Sequence, residues 1–322
     1  MLMNAVCMKP AMTGTNCSLI ADVGGTSSRC AILGPTPKVP AQVRIFRNDE
    51  YGGLADLFAE FLSGIDVQPQ SLALAVAAPV HGDDIRMCNR DWSFSGASLA
   101  SDLGFDQVTI INDFHAVAHA LPAFDDGTRV EIGTATEYCG GNMAAIGPGS
   151  GLGTSAWIAA DAGGAAMTGE GGHITLSARD RHEDEIIAEV RARFGHCSAE
   201  RILSGPGLIV LHNVMHGIEI ESSEAITQNA DDPACAATMR QFFSFLGSAG
   251  ADLALITGAF GGLYIAGGIV PACIEQLRAS PFRERFDDKN RYRDYMRRIP
   301  TYVITDPVPG LTGLAAMISR GL

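Results

Sequence analysis

Apolar residues from Leu19 to Ala21 run into Asp22, and a second apolar run, Cys30 to Ile32, follows Arg29. Between them stand the pair Gly24-Gly25 and three hydroxyls, Thr26, Ser27 and Ser28. The pattern over Ser18 to Ile32 predicts strand, tight glycine turn, strand. Val43 to Phe46 reads as a further strand. Leu54, Leu57, Phe58, Phe61 and Leu62 recur at helical spacing between Gly52 and Gly64. Ser71 to Ala77 is a short buried strand, with Ile85 to Cys88 expected as its hairpin partner. Ser95 to Leu103 is predicted helical. Gln107 to Ile111 is a strand that stops at Asn112-Asp113, and a helix follows it through His119.

A second cycle begins near Asn142. Met143 to Ile146 is a predicted strand, G-P-G-S-G-L-G-T bends the chain, and Ser155 to Ala159 returns. The layout matches that of the first hairpin and suggests an internal duplication. Glu183 to Phe194 is amphipathic, with Ile186, Ile187, Val190 and Phe194 on one face. Ser204 is an expected N-cap, with Pro206 in the first turn of its helix. Met239 to Gly258 is expected as one long helix with Phe242, Leu246, Ala249, Leu253 and Ile256 on a stripe. Leu263 to Ala266 is a strand ending at Gly267-Gly268. Asp287 to Arg298 reads as a solvated charged helix, Tyr302 to Ile304 as a last strand and Pro309 to Ile318 as a closing helix. Strands alternating with helices make this an α/β protein.

Composition narrows the function classes. The chain has 322 residues, 47% of them hydrophobic and 18% charged, which suits one large or two ordinary folded domains. Its 23 basic and 36 acidic residues give a net charge of −13. An acidic chain with no basic run argues against nucleic acid and anionic membrane as partners. No apolar run is long enough to span a bilayer. The eight cysteines include no C-x-x-C and stand mostly in apolar contexts, so buried free thiols in a reducing compartment, the cytoplasm, are expected. Met1 to Asn16 lack a charged start, and Lys9-Pro10 interrupts them, so they read as a loose extension rather than a signal peptide.

Four stretches could carry chemistry. The Asp22-to-Ser28 turn exposes backbone N–H groups and hydroxyls beside a carboxylate, which suits a polyphosphate and its magnesium, or is an ordinary glycine hairpin. Asn112-Asp113 ends a strand, where open α/β sheets present residues to ligands. Asp113 there could accept a proton or simply cap the next helix. Gly169-Glu170-Gly171-Gly172-His173 places an acid and an imidazole three apart, as a polar-ligand loop or an exposed turn. The ligands are too few for a metal site. Glu200, in H-C-S-A-E-R, could serve a ligand or the dipole of a helix.

Together these stretches resemble bacterial glucokinase, the ATP-dependent hexose kinases outside the repressor/open-reading-frame/kinase type. The resemblance runs from about Leu19 to the C-terminus. It rests on D-V-G-G-T at 22–26, I-I-N-D-F at 110–114, G-x-G-x-G-L-G at 147–153 and G-E-G-G-H at 169–173. H-C-S-A-E-R-I-L-S-G-P-G-L at 196–208 and F-G-G-L-Y-I-A-G-G-I-V-P at 260–271 extend it. Position 27 is serine where the resemblance leads one to expect asparagine, and position 21 is alanine where glycine is common.

The resemblance implies a two-domain α/β fold of the actin/hexokinase-like (ribonuclease H-like) kind with a ligand cleft between the domains. Residues 18–112 with about 305–322 would form the smaller domain, residues 113–304 the larger, and 1–17 an extension. It implies transfer of phosphate from Mg-ATP to D-glucose, giving glucose 6-phosphate, by a cytoplasmic homodimer. Asp113 would be the general base. Asn112, Asp113, Glu170, His173 and Glu200, with Asn89, would hold the sugar. Asp22, Val23, Gly24, Gly25, Thr26 and Ser27 would hold ATP phosphates, as would Gly149, Ser150, Gly151, Gly153 and Thr154. Gly267 and Gly268 would lie near the adenosine, and Asp22 would hold Mg2+ through water. The competing expectations are a kinase for another hexose and a non-catalytic sugar sensor on the same fold. Asp113 and the missing basic segment before Leu19 speak against a sensor.

Overall fold

The computed structural model describes residues 17–35, 39–87, 90–161 and 163–321. The expected N-terminal extension, Cys17 apart, and the candidate Asn89 lie outside the described residues. The chain divides into two compact units, one running to Ala116 and resuming at Gly310, the other spanning Val117–Pro309.

The first unit opens with the predicted hairpin. β1 (Ser18–Val23) and β2 (Ser27–Leu33) are antiparallel, and β3 (Pro40–Arg47) pairs with the outer edge of β2. Helix α1 (Leu54–Ser63) leads to β4 (Ser71–Val76), which pairs in parallel with β1. The short strands β5 (Asp84–Arg86) and β6 (Ser93–Ser95) precede α2 (Gly96–Leu103), whose cap is Ser95. Then β7 (Gln107–Asn112) pairs in parallel with β4, and α3 (Asp113–Ala120) carries the chain onward. The sheet order is β3-β2-β1-β4-β7. Ile85 does not pair with β4 as expected: β5 and β6 form a separate ribbon. Both edges of β4 are already occupied by parallel partners, which leaves no ladder for a hairpin strand.

Side chains alternate across β1. Leu19, Ala21 and Val23 enter one core with Leu57, Phe58 and Phe61 of α1. Asp22 therefore belongs to the opposite face.

The second unit repeats this plan. β8 (Arg129–Glu131) is an edge strand that the apolar pattern did not reveal. β9 (Met143–Pro148) and β10 (Leu152–Ile158) form the second hairpin, and β11 (Ala165–Gly169) extends it. After α4 (Arg181–Phe194), α5 (Gly205–His216), α6 (Ser223–Thr227) and α7 (Pro233–Thr257), β12 (Gly262–Ile265) pairs in parallel with β9. α8 (Ile274–Arg278), α9 (Phe282–Asp287) and α10 (Arg293–Arg297) precede β13 (Thr301–Ile304), parallel to β12. α11 (Pro309–Ser319) then returns to the first unit. The order β11-β10-β9-β12-β13-β8 reproduces the first sheet, two antiparallel steps and then two parallel ones, with β8 added. The duplication suggested by the two glycine hairpins is thus one of whole sheets.

Two helices differ from expectation. α7 starts at Pro233, where the Asp232 carboxylate accepts from the N–H groups of Ala234 and Cys235, both at 2.9 Å. Ile256, assigned to its stripe, is 75% exposed. The charged stretch Asp287 to Arg298 is not one helix. α9 ends at Asp287, Asn290 takes a positive φ of 49°, and a short 3-10 turn separates it from α10. Its charges pair with neighbouring segments as well as locally: Lys289 with Asp252, and Asp288 with both Arg179 and Arg293.

One buried ion pair ties three helices of this unit. Glu183 at the start of α4 is 1% exposed and Arg285 of α9 is 7% exposed. The guanidinium donates to Glu183 Oε1 at 2.6 Å and Oε2 at 3.1 Å, and Gln241 of α7 donates at 3.0 Å. Glu183→Ala leaves this guanidinium uncompensated and is expected to lower unfolding free energy by about 3–5 kcal/mol in urea denaturation. The apolar double replacement Glu183→Leu with Arg285→Met should cost clearly less.

Candidate active site

In the first unit the expected residues converge on one sheet edge. Val23 pairs with Val76, and Val76 with Asn112, so the C-terminal ends of β1, β4 and β7 are level. The Gly24-Gly25 turn and Asn112-Asp113 leave this edge with one strand between them, about 10 Å apart at ordinary strand spacing.

The turn is closed by Gly24 N–H donating to the Ser27 carbonyl at 3.1 Å. Among the described residues the N–H groups of Gly25 and Thr26 have no hydrogen-bond partner. Val23 is fully buried, so it can serve the site only through its backbone. Asp22 is 15% exposed, and Arg29, its partner across the ladder, lies 3.8 Å from its carboxylate. Burial pushes the Asp22 carboxyl above the usual aspartate range, and the Arg29 charge offsets this only in part. Gly310 in the first turn of α11 lies against it; a Cβ there would sit 2.6 Å from Asp22 Cγ.

Asn112, not Asp113, caps α3. Its Oδ1 accepts from the N–H groups of Phe114 at 2.9 Å and His115 at 3.3 Å, and its Nδ2 donates to the Ala78 carbonyl at 3.2 Å. Asp113 stands half-buried at the first helical position, with Oδ1 2.9 Å from the Phe114 N–H. The capping role that competed with a chemical role for Asp113 is thus filled by its neighbour.

In the second unit a parallel set forms around β10. The Gly149 N–H donates to the Gly151 carbonyl at 2.8 Å, and the Gly149 carbonyl accepts from Gly205 N–H, at the start of α5, at 2.8 Å. Glu200 Oε2 accepts from the Leu152 N–H at 2.9 Å. A Cβ on Gly151 would come within 2.6 Å of that oxygen, so a side chain there would push the Glu200 carboxylate aside. Glu200 lies in a 3-10 turn, and it braces the glycine turn rather than a helix dipole. Thr154 is buried, and its hydroxyl accepts from the Gly171 N–H at 3.1 Å, which seats the Glu170–His173 loop beside β10. Glu170, His173 and Ser150 are exposed, Glu200 half-buried. Gly267 and Gly268 leave the same edge as the Gly149–Gly151 turn: Ala266 N–H donates to Ile146 O at 2.9 Å and Ile269 N–H to Pro148 O at 3.4 Å.

Two residues went unnoticed in the sequence. Asn48, fully buried, and Arg90 both grip the first glycine turn from behind. A buried asparagine after a strand and an arginine two places before Trp92 carry no pattern of their own. Among the described residues no group of three or more His, Cys, Asp or Glu could hold a metal. The donor set at Asp22 fits Mg2+ all the same, because this ion is commonly held by one carboxylate together with substrate phosphates and water.

Two glycine-hairpin sheets, each presenting N–H groups and carboxylates at one edge, define a two-domain sugar kinase of the actin-like fold. The comparisons agree. The glucokinase family model matches residues 19–321. The chain is 41% identical to the glucokinase of Aromatoleum aromaticum over 96% of this chain and 98% of that one. The crystal structure of a glucokinase from an Antarctic psychrotroph superposes with a TM-score of 0.84 at 33% identity, covering 95% of this chain and all of that one. A glucokinase of the repressor/open-reading-frame/kinase type from Streptomyces griseus, in complex with glucose and AMPPNP, is 18% identical with a TM-score of 0.60. It covers 94% of this chain and 99% of that one, and at this distance it speaks to the fold alone. The chain belongs to the glucokinase family and is an enzyme, a phosphotransferase acting on an alcohol group. Among the described residues no helix is long and apolar enough to cross a membrane.

The raised Asp22 carboxyl has a consequence for stability. A pKa above its unfolded value means that folding favours the protonated form, an advantage present in acid and lost as pH rises through the raised value. Asp22→Asn should therefore melt higher than the parent at neutral pH, with the gap closing toward acid, while activity falls. Melting curves across pH 4 to 8 check this, and a gap that opens toward acid instead contradicts it.

Proposed function

We propose that the protein transfers the γ-phosphoryl group of ATP to the terminal hydroxyl of D-glucose, giving glucose 6-phosphate, with Mg2+ as cofactor. The observation that carries this is the level edge of the first sheet, where the Asp113 carboxylate and the Gly24-Gly25 turn stand one strand apart. Family membership supplies the substrate class.

Phosphoryl transfer asks a protein mainly to position the reactants and to stabilise spread negative charge. The N–H groups of the two glycine turns, Asp22-to-Ser27 and Gly149-to-Thr154, that are not already bonded within the protein, Gly25 and Thr26 among them, suit the phosphate oxygens. Gly267 and Gly268 suit the adenosine side. Mg2+, held by Asp22 through water, would neutralise phosphate charge. Asp113 accepts the proton of the attacking hydroxyl. Asn89, Asn112, Glu170, His173 and Glu200 hold the other hydroxyls; a carboxylate accepts hydrogen bonds from correctly placed hydroxyls and discriminates against an epimer that fails to donate. A cytoplasmic homodimer is the form expected of such an enzyme.

Asp113→Ala should abolish turnover yet leave glucose affinity within about tenfold, ~1.4 kcal/mol. Steady-state rates and calorimetric titration with glucose test it; an unchanged kcat removes Asp113 from the mechanism. ADP release should require glucose and Mg2+ together. Comparison of kcat/KM for glucose, mannose, fructose and an N-acetylhexosamine decides the acceptor.

A further inference from the structure

The Gly24–Thr26 turn is held by its carbonyls. Asn48 Nδ2 donates to the Gly24 carbonyl at 2.8 Å, Arg90 Nε to the Gly25 carbonyl at 3.2 Å, and the Asn48 N–H to the Thr26 carbonyl at 3.0 Å. The two anchors are themselves locked. Asn48 Oδ1 accepts from the buried Ser28 hydroxyl at 2.7 Å, and Arg90 Nη1 donates to the Asn48 carbonyl at 3.1 Å. The Arg90 guanidinium also pairs with Asp49 and lies 4.9 Å over the ring of the buried Trp92.

A trans peptide is planar, and its C=O and N–H point in opposite directions. Pinning the Gly24 and Gly25 carbonyls to Asn48 and Arg90 therefore turns the next two N–H groups, Gly25 and Thr26, to the opposite side. These are the two N–H groups of the turn that lack a partner among the described residues. Two consecutive glycine peptides would otherwise rotate readily, and ordering them at the moment of binding would cost conformational entropy.

We propose that Arg90 is a positioning residue for the nucleotide: it orients the N–H groups of the Gly24-Gly25 turn toward the phosphates without touching them. This rests on the reading of that turn as a phosphate site. Arg90 is 17% exposed and lies outside the apolar cores, so its replacement need not unfold the unit. Arg90→Met keeps an aliphatic stem over Trp92 and removes the Nε donor. It should raise KM for MgATP about tenfold, leave KM for glucose within twofold and leave melting within a few degrees. Arg90→Lys keeps the charge but lacks the forked donors, and it should remain several-fold impaired. Full recovery by Arg90→Lys means that charge alone acts and overturns the proposal. So does a loss of kcat and stability at unchanged MgATP KM, the mark of a purely structural tie. Thr26→Val, inside the turn, separates the two levels. If it raises the MgATP KM and Arg90→Met does not, the positioning role fails while the phosphate site stands; if neither does, both fail.

Discussion

Parallel pairing of β4 between β1 and β7 is the constraint on which the first unit depends. It brings Val23, Val76 and Asn112 into one row, so the glycine turn and the Asn112-Asp113 corner emerge at the same height. A one-residue slip of β1 would exchange its faces. Asp22 would then enter the apolar layer that Leu19, Ala21 and Val23 share with α1, and burial of an unpaired carboxylate forbids that. The same alternation that builds the core therefore sets the acidic group beside the turn.

Both units solve one problem in two ways. A glycine turn offers N–H groups only if its carbonyls are engaged elsewhere. In the first unit Asn48 and Arg90 engage them with side chains. In the second, the turn's own Gly149 N–H and the start of α5 do so, while the Glu200 carboxylate holds the Leu152 N–H. Glu200, proposed for the sugar, is thereby tied to the turn proposed for the phosphates. Asn112 divides labour similarly, taking the helix cap so that Asp113 need not.

Local pattern was most informative where burial has a period. The strands β1, β2 and β9, α1 with its Leu57, Phe58 and Phe61, and the Ser204 cap all formed within a residue or two of expectation, whereas β10 begins at Leu152, three residues before the expected Ser155. Pattern failed where neighbours decide. Ile85 looked like a hairpin partner for β4, yet β4 had parallel partners on both sides. Asp287 to Arg298 looked like a continuous charged helix, yet Asp252 and Arg179, distant in sequence, draw its charges aside.

The order of glycines, hydroxyls and carboxylates along the chain by itself determined the fold class, the two hairpins and the family, because these depend on residue type and short spacing. Tertiary structure alone decided which side chains steady the turns. Asn48 and Arg90 reach Gly24 and Gly25 across 24 and 65 positions, and Glu200 reaches Leu152 across 48. Hydrogen bonds act over about 3 Å of space whatever the separation in sequence, so no local pattern could record them.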